Sequence, residues 1–128
     1  MKVVLDAYGF ICWLLEEANY KTVENYLVNH EVFMSAINFG EVYYRLIKKG
    51  LEKEAENLWE NKNSFPIKFI EPTWKRIKLA CELKGNYAIS YADAFCIGLA
   101  QELKAPIITG DPEFKSVQNI ELIWIGKN

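Results

Sequence analysis

Five short apolar runs, "KVVLD" (2–6), "EVFMSA" (31–36), "IKFIE" (67–71), "PIIT" (106–109) and "ELIWI" (121–125), are separated by stretches of helical periodicity. No other feature narrows the fold so far, because strands that alternate with helices close a parallel sheet between helical layers. Strands of such a sheet are buried on both faces, which explains why the runs are continuous and not alternating. The periodic stretches predict helices over 8–17, 20–29, 38–49, 52–62, 73–84 and 90–104, with Gly50, Gly85 and Lys104-Ala105-Pro106 as stops. The expected fold class is therefore α/β: three layers, with a central, mostly parallel five-stranded sheet flanked by helices. At 128 residues the chain has the length of one domain, and a single core over 1–128 is expected.

Composition excludes some roles. The chain is 51% hydrophobic and carries a formal charge of −2, so a polyanion would have to be met by a local basic patch. The apolar start is interrupted by Asp6 and followed by "EE", which argues against a secretory leader, and no run approaches membrane-spanning length. Cys12, Cys81 and Cys96 are widely spaced among apolar helical residues and read as buried thiols in a reducing compartment, so a cytoplasmic protein is expected. With His30 as the one histidine and no CxxC pair, a zinc site has almost no ligands to draw on.

The acids are more informative. In open parallel sheets, ligands sit at the carboxyl ends of the strands. Asp6 ends the first run, Glu41 follows the second in "SAINFGEVYY", Asp93 opens the last long helix in "ISYADAFCIGLA", and Asp111 follows "IIT" in "ITGDPEF". All four map to one edge of the predicted sheet. Each has a structural explanation by itself. Asn38 with Glu41 and Ser90 with Asp93 have the spacing of capping boxes, Asp6 is placed to cap the first helix, Asp111 precedes Pro112 in a turn, and Glu41 stands four residues before Arg45. Capping gives no reason for the four to converge, however, and converging carboxylates repel. A hard divalent cation gives that reason, since Mg²⁺ takes oxygen ligands and is held by one or two carboxylates directly.

These residues resemble the PIN-domain ribonucleases, and in particular the VapC-type toxins of toxin–antitoxin pairs. The likeness spans nearly the whole chain and rests on "VVLDAY", "SAINFGEVYYRL", "ISYADAFCIGLA" and "IITGDPEF" in that order. It implies a PIN domain over 1–128 and an endoribonuclease dependent on one or two Mg²⁺ or Mn²⁺ ions, with Asp6, Glu41, Asp93 and Asp111 as the catalytic acids. Asp6 and Asp93 would be direct metal ligands. Glu41 and Asp111 would act directly or through water, and Thr109 and Ser90 would support them from behind. Many members place Ser or Asn two residues after the first acid, where this chain has Tyr8. Hydrolysis by metal-bound water would leave 5′-phosphate and 3′-hydroxyl ends.

A phosphatase of the haloacid-dehalogenase type would want a second Asp at position 8, a receiver domain would want adjacent acids, and no P-loop or GxGxxG fingerprint is present. The alternatives to an RNA-cleaving toxin are a PIN nuclease of RNA processing without antitoxin, and a non-catalytic RNA- or protein-binding module that keeps the acids as caps. Arg45, Lys48, Lys49, Lys75, Arg76 and Lys78 read better as solvated faces than as phosphate contacts. Tyr43, Tyr44, Trp13, Trp59 and Trp74 at helical spacing read better as core or interface than as base-stacking platforms. The apolar helices "EVYYRLIKKGL" and "FICWLLEE" predict a homodimer. An antitoxin, where one exists, would present a basic side chain to the acids.

Overall fold

The computed structural model describes residues 1–127. In chain order the elements are β1 (Lys2–Leu5), α1 (Ala7–Leu14), α2 (Tyr20–Asn29), β2 (Glu31–Ser35), α3 (Ala36–Lys48), α4 (Glu52–Glu60), β3 (Ile67–Ile70), α5 (Trp74–Asn86), α6 (Tyr91–Leu103), β4 (Ile107–Thr109) and β5 (Leu122–Trp124). Single 3₁₀ turns follow α4 (Lys62–Ser64) and β4 (Pro112–Ser116). The five strands form one sheet in the order β3-β2-β1-β4-β5, and every pairing is parallel.

Alternation along the strands splits the core into two layers. Val3 and Leu5 of β1, Val32 and Met34 of β2, and Ile108 of β4 face α1 to α4. Val4, Phe33 and Ile107 face α5 and α6 on the other side. Phe10, fully buried, packs against Trp13, Phe39 and Phe65 with ring centroids 6.0, 6.2 and 5.6 Å away. Burial of such a side chain contributes about 1.5–3 kcal/mol.

Several local expectations shift. α3 begins at Ala36 and not at 38, because the Ser35 hydroxyl at the end of β2 accepts from the Ile37 N–H at 3.2 Å and caps the helix there. The capping box predicted for Asn38 and Glu41 is thus absent; both lie inside the helix. α1 stops at Leu14 and not at 17, where Glu16 takes a left-handed φ of 51°. α5 runs through Gly85 to Asn86. Cys12 and Cys96 are buried as expected, but Cys81 is exposed, its Sγ 3.8 Å from the Tyr91 hydroxyl.

Strand order positions the site. From β1 the sheet grows one way through β2 and β3 and the other way through β4 and β5, so the connections diverge between β1 and β4. A crevice opens at such a switch point beyond the carboxyl ends of the strands. Gly9 in the first turn of α1 lets that helix sit close, since a Cβ there would lie 2.6 Å from Leu5 Cδ1 and 3.2 Å from the Ile108 carbonyl oxygen.

Candidate functional site

Asp6 and Asp111 flank the switch point, one after β1 and the other after β4. Asp6, 1% exposed, caps α1: its Oδ1 accepts from the Gly9 N–H at 2.7 Å, and its Oδ2 accepts a very short hydrogen bond from the Thr109 hydroxyl. Thr109 Oγ1 in turn accepts from the Asp111 N–H at 3.0 Å, so one buried hydroxyl fixes both acids. Asp111 caps the following 3₁₀ turn by accepting from the Glu113 N–H at 2.9 Å. The capping roles considered for Asp6 and Asp111 are therefore present in the fold.

Asp93 behaves differently. Ser90 is the N-cap of α6 and accepts from the Asp93 N–H at 3.1 Å, the first half of a capping box. The second half, the acceptor for the Ser90 N–H, is supplied by Glu113 Oε1 and not by Asp93. Among the described residues no hydrogen bond reaches the Asp93 carboxylate, which is left free in the crevice with its residue 6% exposed. Carboxylate oxygens of Asp93, Asp111 and Glu113 lie within 4.8 Å of one another.

Glu41 arrives from the second turn of α3. Its Oε2 pairs with Arg45 Nη2 at 2.6 Å, as the four-residue spacing predicts, while Oε1 is buried without a partner. Asn38, one turn earlier and fully buried, donates to the Ala92 carbonyl at 2.9 Å and ties α3 to the start of α6. This link holds the helix that carries Glu41 against the helix that carries Asp93.

The acids act on each other through space. Burial pushes the Asp6 carboxyl up to about 7, with the bonds from Thr109 and Gly9 pulling the other way and the charges of Asp111 and Glu41 adding to the rise. Burial, followed by Asp111, Glu113, Glu41 and Asp6, pushes Asp93 up to about 8. Glu41 is raised as well, by burial first and against the opposing effect of Arg45. An all-oxygen donor set, one orphaned buried carboxylate oxygen and several acids that cannot all ionise cheaply fit a hard divalent cation. Neutral thiols do not compete for it: Cys96, one turn after Asp93, is buried and its thiol is pushed up.

Of the four expected acids the structure groups Asp93 and Asp111, joined by Glu113, while Asp6 and Glu41 lie outside that close group and act on Asp93 through their charge; Thr109 lies beneath Asp6 and Asp111, and Ser90 is a helix cap. Glu113 and Asn38 had not been singled out for the site. The signal for Glu113 was the second acid in "GDPEF"; nothing local could show that it would reach the N-terminus of α6. Other candidates lie elsewhere. Arg76 is clamped by Glu102 at 2.9 Å, and Trp13, half-buried, packs at a tilt on Phe10 and edge-on to Phe65 against the core. Replacing Thr109 with Val, which keeps the shape but removes the hydroxyl, is expected to lower stability by about 1–3 kcal/mol in denaturant melts, because Asp6 loses a donor in a place water cannot reach.

The sequence model of the PIN domain matches residues 3–120. Comparison with curated protein sequences gives no match. Among solved structures, the fold is similar to VapC20 of Mycobacterium tuberculosis, described as a sarcin-ricin-loop-cleaving toxin, with TM-score 0.76, 15% identity, and 93% of this chain and 97% of that one covered. VapBC2 of Rickettsia felis, solved with a fragment of its promoter DNA, gives TM-score 0.74 at 19% identity over 95% and 97% of the two chains. A toxin–antitoxin complex from Klebsiella pneumoniae gives TM-score 0.66 at 16% identity over 92% and 94%.

Proposed function

Because the chain belongs to the PIN domain family, a family of nucleases, we propose that it is a Mg²⁺- or Mn²⁺-dependent endoribonuclease and the toxin of a toxin–antitoxin pair. The observation that carries this reading is the group of Asp93, Asp111 and Glu113, whose carboxylate oxygens lie within 4.8 Å of one another, with Glu41 and Asp6 close enough for their charges to act on Asp93 and Arg45 as the one basic side chain ion-paired to any of the five among the described residues.

A bound divalent ion supplies charge stabilisation at the phosphoryl oxygens and a water of lowered pKa. Asp6 and Asp93 would hold it, Asp93 from the group that also contains Asp111 and Glu113. Gly9 and Thr109 lock the Asp6 carboxylate in place, and Asp93 comes without a competing hydrogen bond. Asp111 and Glu41 would bind it through water or orient the attacking water, and Glu113, which caps α6, would add charge beside them. The observation favouring a non-catalytic binding module is that Asp6 and Asp111 do cap helical turns. Capping accounts for neither the free carboxylate of Asp93 nor the orphaned Oε1 of Glu41.

The antitoxin is proposed from the toxin–antitoxin complexes among the similar folds. A homodimer is proposed through α3 and α4, where Tyr44, Ile47 and Trp59 are 48%, 40% and 45% exposed. α1 contributes less to that surface than its sequence led one to expect, since Phe10, Ile11 and Cys12 are core. The proposed site is cytoplasmic; among the described residues no helix is long and apolar enough to cross a membrane.

The reading is tested by incubating the purified protein with end-labelled single-stranded RNA and titrating Mg²⁺ and Mn²⁺ against chelator. Saturable, metal-dependent cleavage that leaves 5′-phosphate ends is expected. Equal RNA binding with and without chelator, and no cleavage with either ion, would overturn the nuclease and leave the binding module.

A further inference from the structure

Beside the acids, a cleft of about 540 Å³ opens between α1 and the segment after β5, lined by Tyr8, Glu17, Asn19, Ile125, Gly126 and Lys127. Its volume lies within the usual range for small-molecule sites. Tyr8 forms the wall shared with the acid crevice. It sits two residues after Asp6 in the first turn of α1, and its ring lies on the backbone of Gly110, the residue before Asp111. A Cβ on Gly110 would come within 2.2 Å of Tyr8 Cε1, and one on Gly126 would meet the Gly110 backbone at 2.6 Å. Gly110 thus makes the space in which this ring lies against the main chain, and Gly126 lets the segment after β5 approach Gly110 closely. The ring remains 36% exposed, and among the described residues its hydroxyl makes no hydrogen bond.

The walls select an occupant. The Asn19 amide is committed to the Ile125 carbonyl at 2.9 Å and serves as a fixed wall. Glu17 disfavours a phosphate inside the cleft, while Lys127 offers the rim one cation. An aromatic face and bare glycine backbone suit a flat, uncharged ring, and such faces stack nucleobases with little regard to sequence. We infer that this cleft is a nucleobase subsite, in which Tyr8 stacks on the base of the nucleotide next to the scissile phosphate while that phosphate lies at the acids. The inference rests on the ribonuclease reading for its substrate and deepens it.

The test uses wild type, Tyr8→Phe and Tyr8→Leu with two readouts. In chelator, saturation-transfer NMR with the uncharged probes adenosine and cytidine is expected to show contact with wild type and with Tyr8→Phe, and at least fivefold weaker transfer with Tyr8→Leu. In cleavage of single-stranded RNA with metal, Tyr8→Leu is expected to lower kcat/KM about tenfold, the scale of one lost stacking contact, and Tyr8→Phe to change it little. An abasic ribose beside the cleaved bond supplies an arm that needs no mutation: there wild type should fall to the level of Tyr8→Leu, and the two proteins should become equal. Nucleoside contact without RNA cleavage would keep the subsite and defeat the ribonuclease. Cleavage with kinetics and nucleoside transfer within twofold for Tyr8→Leu, or an unchanged gap between the proteins on abasic RNA, would overturn the subsite and leave the ribonuclease standing.

Discussion

Asp93→Asn is expected to lower RNA cleavage about 100-fold or more, the scale of losing one key electrostatic group, while leaving the metal-free protein as stable as wild type or more so. The two readings of this residue demand opposite outcomes. As an acid in the first turn of α6, Asp93 gains about 0.3–1 kcal/mol from the helix dipole, and its removal should cost that much. The fold opposes this gain by burial and then by the charges of four acids, which together raise its pKa, and Glu113 has taken over the cap contact that Asp93 would otherwise make. Removing the charge therefore relieves repulsion without breaking a hydrogen bond. The stabilisation that Mg²⁺ or Mn²⁺ gives wild type should disappear with it, because that increment follows from metal binding to the native state. Thermal melts with and without metal, run beside a cleavage assay, decide the matter. A variant that is destabilised and fully active would remove Asp93 from the metal site.

The pH dependence of the metal-free protein should run opposite to that of most acids in folded proteins. Asp6 and Asp93 have carboxyls raised to about 7 and about 8 from an ordinary value of 3.8. The native state then binds more protons than the unfolded chain between those values, so stability falls as pH rises from about 4 to about 8, by up to about 1.4 kcal/mol per pH unit for each proton retained. The stability these groups lend in their protonated form is fully present near pH 4 and lost on passing through 7 and 8. A divalent ion displaces the same protons, so its affinity should rise steeply over pH 6 to 8, and titration calorimetry in buffers of different ionisation enthalpy should record proton release. Melting temperatures that climb between pH 5 and 8 in chelator would contradict the buried, mutually repelling arrangement of the acids.

Much of this protein was legible in its sequence because the relevant physics is local. Continuous apolar runs of four to six residues fit only strands covered on both faces, and the period between them fits helices, so the α/β class and the strand-end position of Asp6 and Asp111 follow from neighbouring residues alone. The Glu41–Arg45 pair and the Ser90 cap follow likewise from helical spacing. At the start of α3 the local signal misled. Helical spacing placed the start of α3 at 38 with Asn38 as its cap; Ser35 at the end of β2 caps it instead, which releases Asn38 to tie α3 to Ala92.

What lay beyond the sequence depends on segments far apart in the chain. Parallel strands of similar apolar character do not specify their own order, and only the order β3-β2-β1-β4-β5 sets Asp6 beside Asp111 at a switch point. Thr109 bonds across 103 residues to Asp6, and Glu113 across 23 residues to Ser90. Neither contact leaves a periodic trace. The second of them frees Asp93, since the Ser90 N–H donates its one hydrogen bond to Glu113 and leaves none for Asp93 to accept. The sequence by itself determined which acids stand at the strand ends; the tertiary structure decided which of them are bound up as caps, which are left open, and that the Tyr8 ring lies between them and a neighbouring cleft.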